Sequence, residues 1–332
     1  MNVPCVRSVL PQGNGAFIVH RALAEGLRSY ELRGLNPWLA SVPGLPYPAM
    51  RRWLRAADVL HLPAEFGVVP LASPPRRVVT LHGYYIDDEH LRRSTSAQRL
   101  YYRQILRRTI PAAVSGADRV VVVSHFLADM LAREGLTGHA PVEVIHNGID
   151  TGRFAPVPGR DDRPLRVLFV GNPTRNKGFH LLAAIAGKLP PGVELWFTRG
   201  MRRQVHRTAP GLHALAPVPY DRMHEVYQQA DVLFFPTFRE GFGLCVAEAM
   251  ACGLPVVSTR CSAIPELLDE GRGGFLLPPD DMAGMVAALN RLLGDAALRA
   301  AMGAHNRERA VRDFSLPRML REYRELFADL RR

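Results

Sequence analysis

The sequence predicts an α/β fold built from two domains, each with a parallel β-sheet. Its 332 residues, 47% of them hydrophobic, are enough for two domains with separate cores. Short apolar runs alternate with helical patterns from one end to the other, which is typical of parallel-sheet proteins. Residues 151–164 are rich in Pro, Gly and charged residues and show neither the helical nor the strand periodicity of apolar residues, so we place the linker there.

Five strands are predicted on each side of this linker. The first five are Val3–Leu10, Ala57–His61, Arg77–Leu81, Arg119–Val123 and Val142–Ile145. The second five are Leu165–Val170, Val193–Thr198, Val232–Phe235, Pro255–Ser258 and Phe275–Leu277. We expect an N-terminal domain over residues 1–155 and a C-terminal domain over residues 160–312. A last helix, about residues 315–332, carries apolar residues at helical spacing and is expected to pack back on the first domain.

Composition narrows the class of protein. The net charge of +11 has two possible explanations. It favours anionic partners, but 40 of the 42 basic residues are arginine, and GC-rich coding also produces an arginine-rich chain. Both explanations stay open. Without an 18-residue apolar run or a basic leader, we expect a cytoplasmic protein. The four scattered cysteines lack a Cys-x-x-Cys pair, so we expect reduced thiols and no structural metal site.

Four unusual segments follow predicted strands. They are Gly13–Gly15, His82–Gly83, residues 171–178 and residues 236–243. Ligands of open α/β sheets bind beyond the carboxyl ends of the strands, so a cleft between facing domains would collect all four. Ile18 stands where the third glycine of a dinucleotide site is needed, and residues 171–178 lack the spacing of a Walker loop, so the sequence disfavours both kinds of site.

Residues 239–257 carry the strongest single signal. Gly241 and Gly243 precede a predicted helix that runs to about Ala251, and the amides at such a helix start suit a diphosphate. Glu248 enters this helix among apolar neighbours, and a buried carboxylate needs partners such as sugar hydroxyls. The alternative makes Glu240 a solvated loop charge and Glu248 half of a structural salt bridge.

Taken together, these segments resemble the retaining nucleotide-sugar glycosyltransferases of family 4. The similarity rests on Glu-Gly-Phe-Gly-Leu and Glu-Ala-Met-Ala-Cys-Gly-Leu-Pro-Val-Val within residues 240–257, and on the motifs at residues 80–83, 121–126, 144–156, 170–178, 230–237 and 263–268. It covers almost the whole chain. It implies the GT-B fold, in which two Rossmann-like domains with parallel sheets face each other across a cleft.

The resemblance also implies roles for individual residues. Glu248 matches the acid that binds the nucleotide ribose, Glu240 the acid beside the donor sugar, and His82 a histidine near the transferred sugar. Arg175 and Lys177 match the basic pair on the diphosphate, which Gly15 approaches from the other domain, and Asn147 lies in a loop that lines the cleft. The implied catalytic residues are Glu240, His82, Arg175 and Lys177. The implied donor-binding residues are Gly15, Asn147, Arg175, Lys177, Glu240, Gly241, Phe242, Gly243, Leu244, Cys245 and Glu248.

The expected reaction moves a hexose, of the mannose or glucose/galactose type, from a GDP- or UDP-sugar with retention of configuration. No Asp-x-Asp motif is present, so Arg175, Lys177 and a helix start are expected to neutralise the leaving phosphate without a metal or other cofactor. The expected acceptor is a glycan or a lipid-linked acceptor in the biosynthesis of a cell-surface polysaccharide or glycolipid, and nucleic acid is not an expected partner. A GT-B sugar-nucleotide epimerase and an inactive nucleotide-sugar-binding protein remain alternatives.

Two departures from the family pattern leave the identity of the donor open. Cys261-Ser262-Ala263 stands where many relatives have a glycine pair, and His146 replaces a proline.

Residues 91–108 contain six arginines and no acidic residue, and we call them the basic segment. Such a helix is a candidate for peripheral contact with an anionic membrane or for contact with a phosphorylated lipid carrier. The alternative is a solvated basic face over a packed apolar stripe.

Overall fold

The computed structural model describes residues 4–36, 47–69, 71, 75–136, 138–157, 163–200 and 209–330. The chain divides into two compact units. The first unit runs to Gly148 and includes the segment from Leu316, and the second is Ile149–Ser315. The boundary lies earlier than the sequence suggested, because Phe154 is buried in the second unit and Arg307 donates to the carbonyls of Thr151 and Phe154 there.

Among the described residues, the first unit has a six-stranded parallel sheet in the order β2-β1-β3-β4-β5-β6. Its strands are β1 (Val6–Pro11), β2 (Tyr30–Leu35), β3 (Val59–Pro63), β4 (Arg76–Leu81), β5 (Arg119–Val122) and β6 (Val142–Val144). The accompanying helices are α1 (Gly15–Gly26), α2 (Tyr47–Arg55), α3 (Asp88–Arg93), α4 (Ser96–Tyr101), α5 (Arg107–Ser115) and α6 (His125–Arg133). Every residue of β3 is buried, as expected for a central strand covered on both faces.

The described part of the second unit has a six-stranded parallel sheet in the order β12-β11-β10-β7-β8-β9. Its strands are β7 (Arg166–Phe169), β8 (Glu194–Phe197), β9 (Leu212–Ala214), β10 (Val232–Phe235), β11 (Val256–Thr259) and β12 (Gly274–Leu277). Its helices are α7 (Leu182–Ala186), α8 (Met223–Gln228), α9 (Leu244–Ala251), α10 (Ile264–Leu267), α11 (Met282–Gly294) and α12 (Ala296–Asp313). This strand order is that of a Rossmann fold, with the order reversing between β7 and β10.

The last helix, α13 (Leu316–Asp329), belongs to the first unit. It buries Met319, Tyr323, Leu326 and Phe327, which share one face at helical spacing. It also packs closely on α1, since a Cβ added at Gly26 would lie 2.4 Å from Leu320 Cδ1. The apolar stripe faces the core of the first unit, and Leu320 of α13 packs against α1.

The two parallel sheets confirm the predicted fold class, and the ten predicted strands are present with ends shifted by at most about three residues. Val3, the predicted start of β1, lies outside the described residues. The sequence missed β2 and β9. Both lie at sheet edges, where three of the six residues of β2 and two of the three residues of β9 are exposed, so neither carries an apolar run.

The basic segment is not one regular helix. Helix α3 ends at Arg93, a capping box at Thr95 starts α4, and a π-helical turn over Tyr102–Leu106 leads into α5. Leu100 is 64% exposed whereas Leu106 is buried, so the expected apolar stripe packs only in part. Within the described ranges, none of the helices combines the length and the apolar character that a membrane crossing demands.

Candidate functional site

The candidate site of the second unit lies where its strand order reverses. Strands β7 and β10 are neighbours in the sheet, but the chain leaves β7 towards β8 and leaves β10 towards β11. Connections that diverge from adjacent parallel strands open a crevice at the carboxyl edge of the sheet. Two loops border it, and we call residues 170–178 the basic loop and residues 236–243 the acidic loop.

Backbone contacts tie these two loops together. The N–H of Phe238 donates to the carbonyl of Asn176 over 2.8 Å, and the Thr237 hydroxyl donates to the same carbonyl over 3.2 Å. Gly178 has φ of 72°, and a Cβ built on it would lie 2.0 Å from the carbonyl oxygen of Pro236. Only glycine permits this approach, so Gly178 sets the spacing between the loops.

Lys177 and Glu240, one from each loop, form an ion pair. Lys177 Nζ donates to Glu240 Oε1, and the Thr237 hydroxyl donates to the same oxygen over 3.0 Å. Burial opposes the charge on Lys177, but the Glu240 carboxylate outweighs it and raises the pKa of the ammonium. Arg175 is exposed and begins the short 3-10 turn Arg175–Lys177, which ends with the lysine of the pair. The crevice thus holds a neutralised pair with one exposed cation beside it.

Glu248 lies on α9 and is only 4% exposed. Tyr220 donates to one of its carboxyl oxygens over 2.9 Å, and Tyr227 donates to the other over 2.6 Å. Burial raises the pKa of Glu248 to about 7, although the two hydroxyls act in the opposite direction. Within the described residues its partners are hydroxyls rather than a cation, so the expected alternative of a structural salt bridge is wrong.

The first turn of α9 contains backbone N–H groups that have no acceptor within the helix. Gly243 precedes the helix with φ of 104°, and a Cβ there would lie 2.9 Å from Ile264 Cδ1. Leu244 and Cys245 occupy the first turn, where amides have no intrahelical acceptor, whereas the N–H of Val246 already bonds to Gly243. The Cys245 thiol interacts electrostatically with both members of the Lys177–Glu240 pair. The helix start therefore adjoins the ion pair and can receive an anion.

The remaining residues of the acidic loop support this geometry. Gly241 is half-buried and directly follows Glu240, while Phe242 is 3% exposed and packs edge-on against Phe314 at 5.7 Å. The Phe242 side chain therefore anchors the loop in the core, and its backbone is what can contribute to ligand binding.

Three predicted site residues lie in the first unit. Gly15 is exposed at the first position of α1, after Asn14, whose side chain accepts from the N–H of Phe17 over 2.8 Å. His82 follows β4, and its Nε2 lies 3.1 Å from Nε2 of His20. Burial lowers the pKa of His82 to about 4, so its ring is neutral at pH 7. Asn147 follows β6 and is 4% exposed.

Sequence reasoning missed Tyr220, Tyr227 and Thr237. Thr237 could have been found, because it lies three residues before Glu240 on the same loop. The tyrosines lie 28 and 21 residues before Glu248, a separation that carries no periodic signal. Sequence reasoning also paired Lys177 with Arg175, whereas the structure pairs it with Glu240.

One departure from the family pattern has a backbone explanation. Ser262 has φ of 48°, which lies in the left-handed region that favours glycine. The glycine expected there by resemblance would relieve this conformation, so the serine keeps the turn at some cost in strain.

Two family models cover most of the chain. The model described as Glycosyltransferase Family 4 matches residues 8–153, and the model described as Glycosyl transferases group 1 matches residues 164–295. Alpha-maltose-1-phosphate synthase of Mycolicibacterium smegmatis is 29% identical over 248 residues, covering 65% of this chain and 64% of that protein. D-inositol 3-phosphate glycosyltransferase of Corynebacterium kroppenstedtii is 30% identical over 245 residues, covering 65% and 54%. The matches span less than two thirds of either relative.

Solved structures share the fold over nearly the whole chain. Sucrose-phosphate synthase of Thermosynechococcus elongatus has a TM-score of 0.79 and 20% identity, covering 98% of this chain and 99% of its own. HepE of Anabaena, solved with UDP-glucose, has a TM-score of 0.78 and 18% identity with the same coverage. The sheets, the matched family models and these likenesses agree, and the chain belongs to the family 4 glycosyltransferases with the GT-B fold.

Proposed function

We propose that the protein is a retaining, metal-independent glycosyltransferase that moves a hexose from a UDP- or GDP-sugar to an acceptor hydroxyl. The observation that carries the proposal is the composition of the crevice between β7 and β10. A lysine–carboxylate pair, an exposed arginine, the start of α9 and a buried carboxylate with tyrosine partners meet there. These groups match the parts of a nucleoside diphosphate sugar.

The diphosphate is proposed to lie against Arg175, Lys177 and the first-turn amides of α9. Breaking the bond between the anomeric carbon and the phosphate oxygen leaves negative charge on the phosphate. When the diphosphate binds, it competes with Glu240 for the Lys177 ammonium. Glu240 is then available to face the sugar, on which positive charge develops in the transition state.

The ribose is proposed to bind Glu248. An ionised carboxylate has about four acceptor sites, and the two tyrosine hydroxyls occupy two of them. Two adjacent ribose hydroxyls can use the other two. Tyr220 and Tyr227 therefore orient the carboxylate without exhausting its capacity.

The sugar carbon is proposed to be attacked from the face that the phosphate leaves. The bond from the anomeric carbon to the acceptor oxygen forms as the bond to the phosphate oxygen breaks, and the acceptor proton passes to the departing phosphate. The resemblance to family 4 is the basis for this route and for the proposed contacts of Gly15, His82 and Asn147 with the donor. The product would keep the anomeric configuration of the donor.

The acceptor is proposed to be a glycan or a lipid-linked acceptor, in the synthesis of a cell-surface polysaccharide or glycolipid. Relatives named as alpha-maltose-1-phosphate synthase, D-inositol 3-phosphate glycosyltransferase and sulfoquinovosyl transferase differ in product, so their names do not select one acceptor. Contact of the basic segment with an anionic membrane is part of this proposal. Arg103, Arg107 and Arg108 are exposed there.

The test is a binding screen followed by transfer assays. UDP, GDP and their hexose derivatives are compared by thermal shift, and stabilising donors are assayed with a panel of glycan and lipid-linked acceptors, with and without EDTA. We expect transfer that survives EDTA and a product whose anomeric configuration, read by NMR, equals that of the donor. Binding without transfer supports the inactive protein, and conversion of the donor itself supports an epimerase. Loss of activity in EDTA contradicts the proposed stabilisation of the leaving group.

The membrane contact has its own test. Vesicles rich in phosphatidylglycerol are sedimented with the protein at low salt and compared with vesicles of phosphatidylcholine. We expect binding to the anionic vesicles only, weakened by Arg103→Glu and Arg107→Glu together. Equal sedimentation with both lipids, or with neither, removes the membrane from the account.

A further inference from the structure

Glu65 lies at the carboxyl edge of the first sheet. It follows β3 in a 3-10 turn over Ala64–Phe66. Because β3 and β4 are parallel neighbours, this turn and His82 leave the sheet at the same edge. A Cβ added at Gly67 would lie 2.7 Å from the Cβ of Ala113 on α5, so the turn is packed closely against that helix.

The Glu65 carboxyl has no side-chain partner within the described ranges. It is half-buried, and its one hydrogen bond in that part of the chain comes from its own backbone N–H. The two carboxylates of the second-unit crevice differ, since Glu240 is paired with Lys177 and Glu248 accepts from two tyrosines. Burial raises the pKa of Glu65 to about 7. A partly buried carboxyl without a partner costs stability, and a ligand with hydroxyl groups would supply the missing hydrogen bonds.

Tyr101 interacts electrostatically with Glu65. Burial raises the pKa of the Tyr101 hydroxyl, and the Glu65 charge acts in the same direction. Tyr101 is the last residue of α4 and directly precedes the π-helical turn Tyr102–Leu106. Such turns recur at functional sites. Like the Glu65 carboxyl, the Tyr101 hydroxyl has no hydrogen-bond partner among the residues that the structure describes.

Three further rings continue from Tyr101. The centroid of Tyr102 lies 6.0 Å from that of Tyr101, and Tyr102 stacks on Tyr85 at 6.0 Å. His90 packs against Tyr85 at 5.4 Å and against Tyr102 at 5.5 Å. The Tyr85 hydroxyl lies over the backbone of Gly83, where an added Cβ would be 2.5 Å from it. We call the four rings the ring cluster, and it extends from Glu65 to the segment that follows β4.

These groups suit an uncharged sugar. A carboxyl and a phenol hydroxyl accept from and donate to hydroxyl groups, whereas aromatic rings offer apolar faces to the C–H groups of a sugar ring. An anionic group such as phosphate would be repelled by the ionised carboxyl. A quaternary ammonium ion is the competing ligand, because a carboxyl among aromatic rings also suits a cation.

We propose that Glu65 and Tyr101 bind the sugar acceptor, with their polar groups hydrogen-bonded to its hydroxyls and its apolar face on the ring cluster. The role of this sugar as acceptor rests on the proposed function, whereas the sugar site itself is a property of the first unit. The residue of the acceptor that binds Glu65 is therefore an uncharged sugar. A phosphate or lipid attached to it lies away from this carboxyl.

The first test measures sugar binding in the full chain without nucleotide. Methyl α-glycosides of mannose, glucose and galactose are titrated at pH 8 and followed by saturation-transfer NMR. We expect at least one of them to bind, with affinity about tenfold weaker in Glu65→Gln and about threefold weaker in Tyr101→Phe. The control is Glu25→Gln, since Glu25 is an exposed glutamate of the same unit and should not affect binding. Choline should give no signal.

A second measurement separates a binding role from a structural one. Glu65→Gln replaces a carboxyl that lacks a partner with a neutral amide, so its unfolding temperature should equal or exceed that of the wild type. Its UDP affinity in calorimetry should not change. In transfer from UDP-glucose to the glycoside that binds best, the KM for the glycoside should rise about tenfold while the KM for UDP-glucose stays constant.

The outcomes separate this inference from the proposed function. If the wild type binds none of the glycosides, if choline binds instead, or if Glu65→Gln binds them as well as Glu25→Gln does, the inference is wrong even when transfer to another acceptor is observed. A Glu65→Gln variant that is less stable and loses sugar and UDP binding together also contradicts it. If the glycosides bind through Glu65 but no sugar nucleotide supports transfer, the proposed function is wrong and only the sugar site stands.

Discussion

The two units keep buried polar groups in opposite states. In the second unit, Lys177 and Glu240 are held as opposite charges in a crevice, whereas in the first unit His20, His61 and His82 are held as neutral rings. Charges can bind a diphosphate, but they need partners when no ligand is present. Neutral rings cannot neutralise a phosphate, but they can donate and accept hydrogen bonds. Under the proposed function, the second unit would stabilise charge and the first unit would supply hydrogen bonds.

The substitution Glu240→Gln should break this comparison most strongly. It removes the carboxylate proposed to face the sugar, so transfer should fall by about 10²–10³-fold. It also releases the Lys177 ammonium from its partner, so UDP affinity should hold or rise a few-fold in calorimetry. Glu270→Gln, in the exposed pair with Arg260, is the control and should change neither quantity. A parallel loss of binding and turnover would mean that Glu240 only supports the fold.

Gly178→Ala should test whether the two charged loops depend on their close contact. The new Cβ would meet the Pro236 carbonyl, so we expect a loss of about 3 kcal/mol in the free energy of unfolding and weaker nucleotide binding. Gly271→Ala is the matched control, since Gly271 has φ of 76° with nothing within 4 Å of an added Cβ. It should lose only about 1–2 kcal/mol, the cost of the left-handed backbone. Equal losses in urea denaturation would show that the loop contact is dispensable.

Affinity for UDP-glucose, whose diphosphate does not titrate between pH 6 and pH 8, should depend on pH through Glu248 of the second unit. Glu248 has a pKa of about 7, above its ordinary value, so the carboxyl becomes protonated as the pH falls through 7 and loses acceptor sites for ribose. Affinity should therefore decrease from pH 8 to pH 6, while the ¹⁵N shifts of His20, His61 and His82 stay constant. Tyr227→Phe removes a hydrogen bond that favours the carboxylate, so the midpoint should rise by about one pH unit.

Tyr323→Phe serves as the control for this midpoint, because Tyr323 is a buried tyrosine of the first unit. Its midpoint should equal that of the wild type. A midpoint that moves equally in both variants would remove Glu248 as its source. The same result follows if affinity is flat between pH 6 and pH 8.

The sequence predicted the central strands and the crevice better than the groups that support them. Central strands such as Val232–Phe235 are apolar throughout, and the acidic loop is one continuous motif. The edge strands β2 and β9 gave no signal because exposed edges need no apolar run. The buried hydrogen-bonded cluster of His20, His61 and His82 with Tyr30 could not be predicted from the sequence, for another reason. Its members are far apart in sequence, and only the packing of α1 with β2, β3 and β4 brings them within hydrogen-bond distance.

The central claim, that Lys177 holds the diphosphate, is tested most directly by comparing UDP and uridine binding in Lys177→Ala. The control is Lys188→Ala, at the only other lysine of the chain, which is exposed. Calorimetry without metal should show a loss of about 1.5–3 kcal/mol in UDP affinity for Lys177→Ala, unchanged uridine affinity, and wild-type values for Lys188→Ala. Lys177→Arg should recover part of the loss, because it keeps the charge but changes its shape. If GDP rather than UDP binds the wild type, the same comparison is made with GDP and guanosine. Equal changes for nucleotide and nucleoside, or none for either, would contradict the claim.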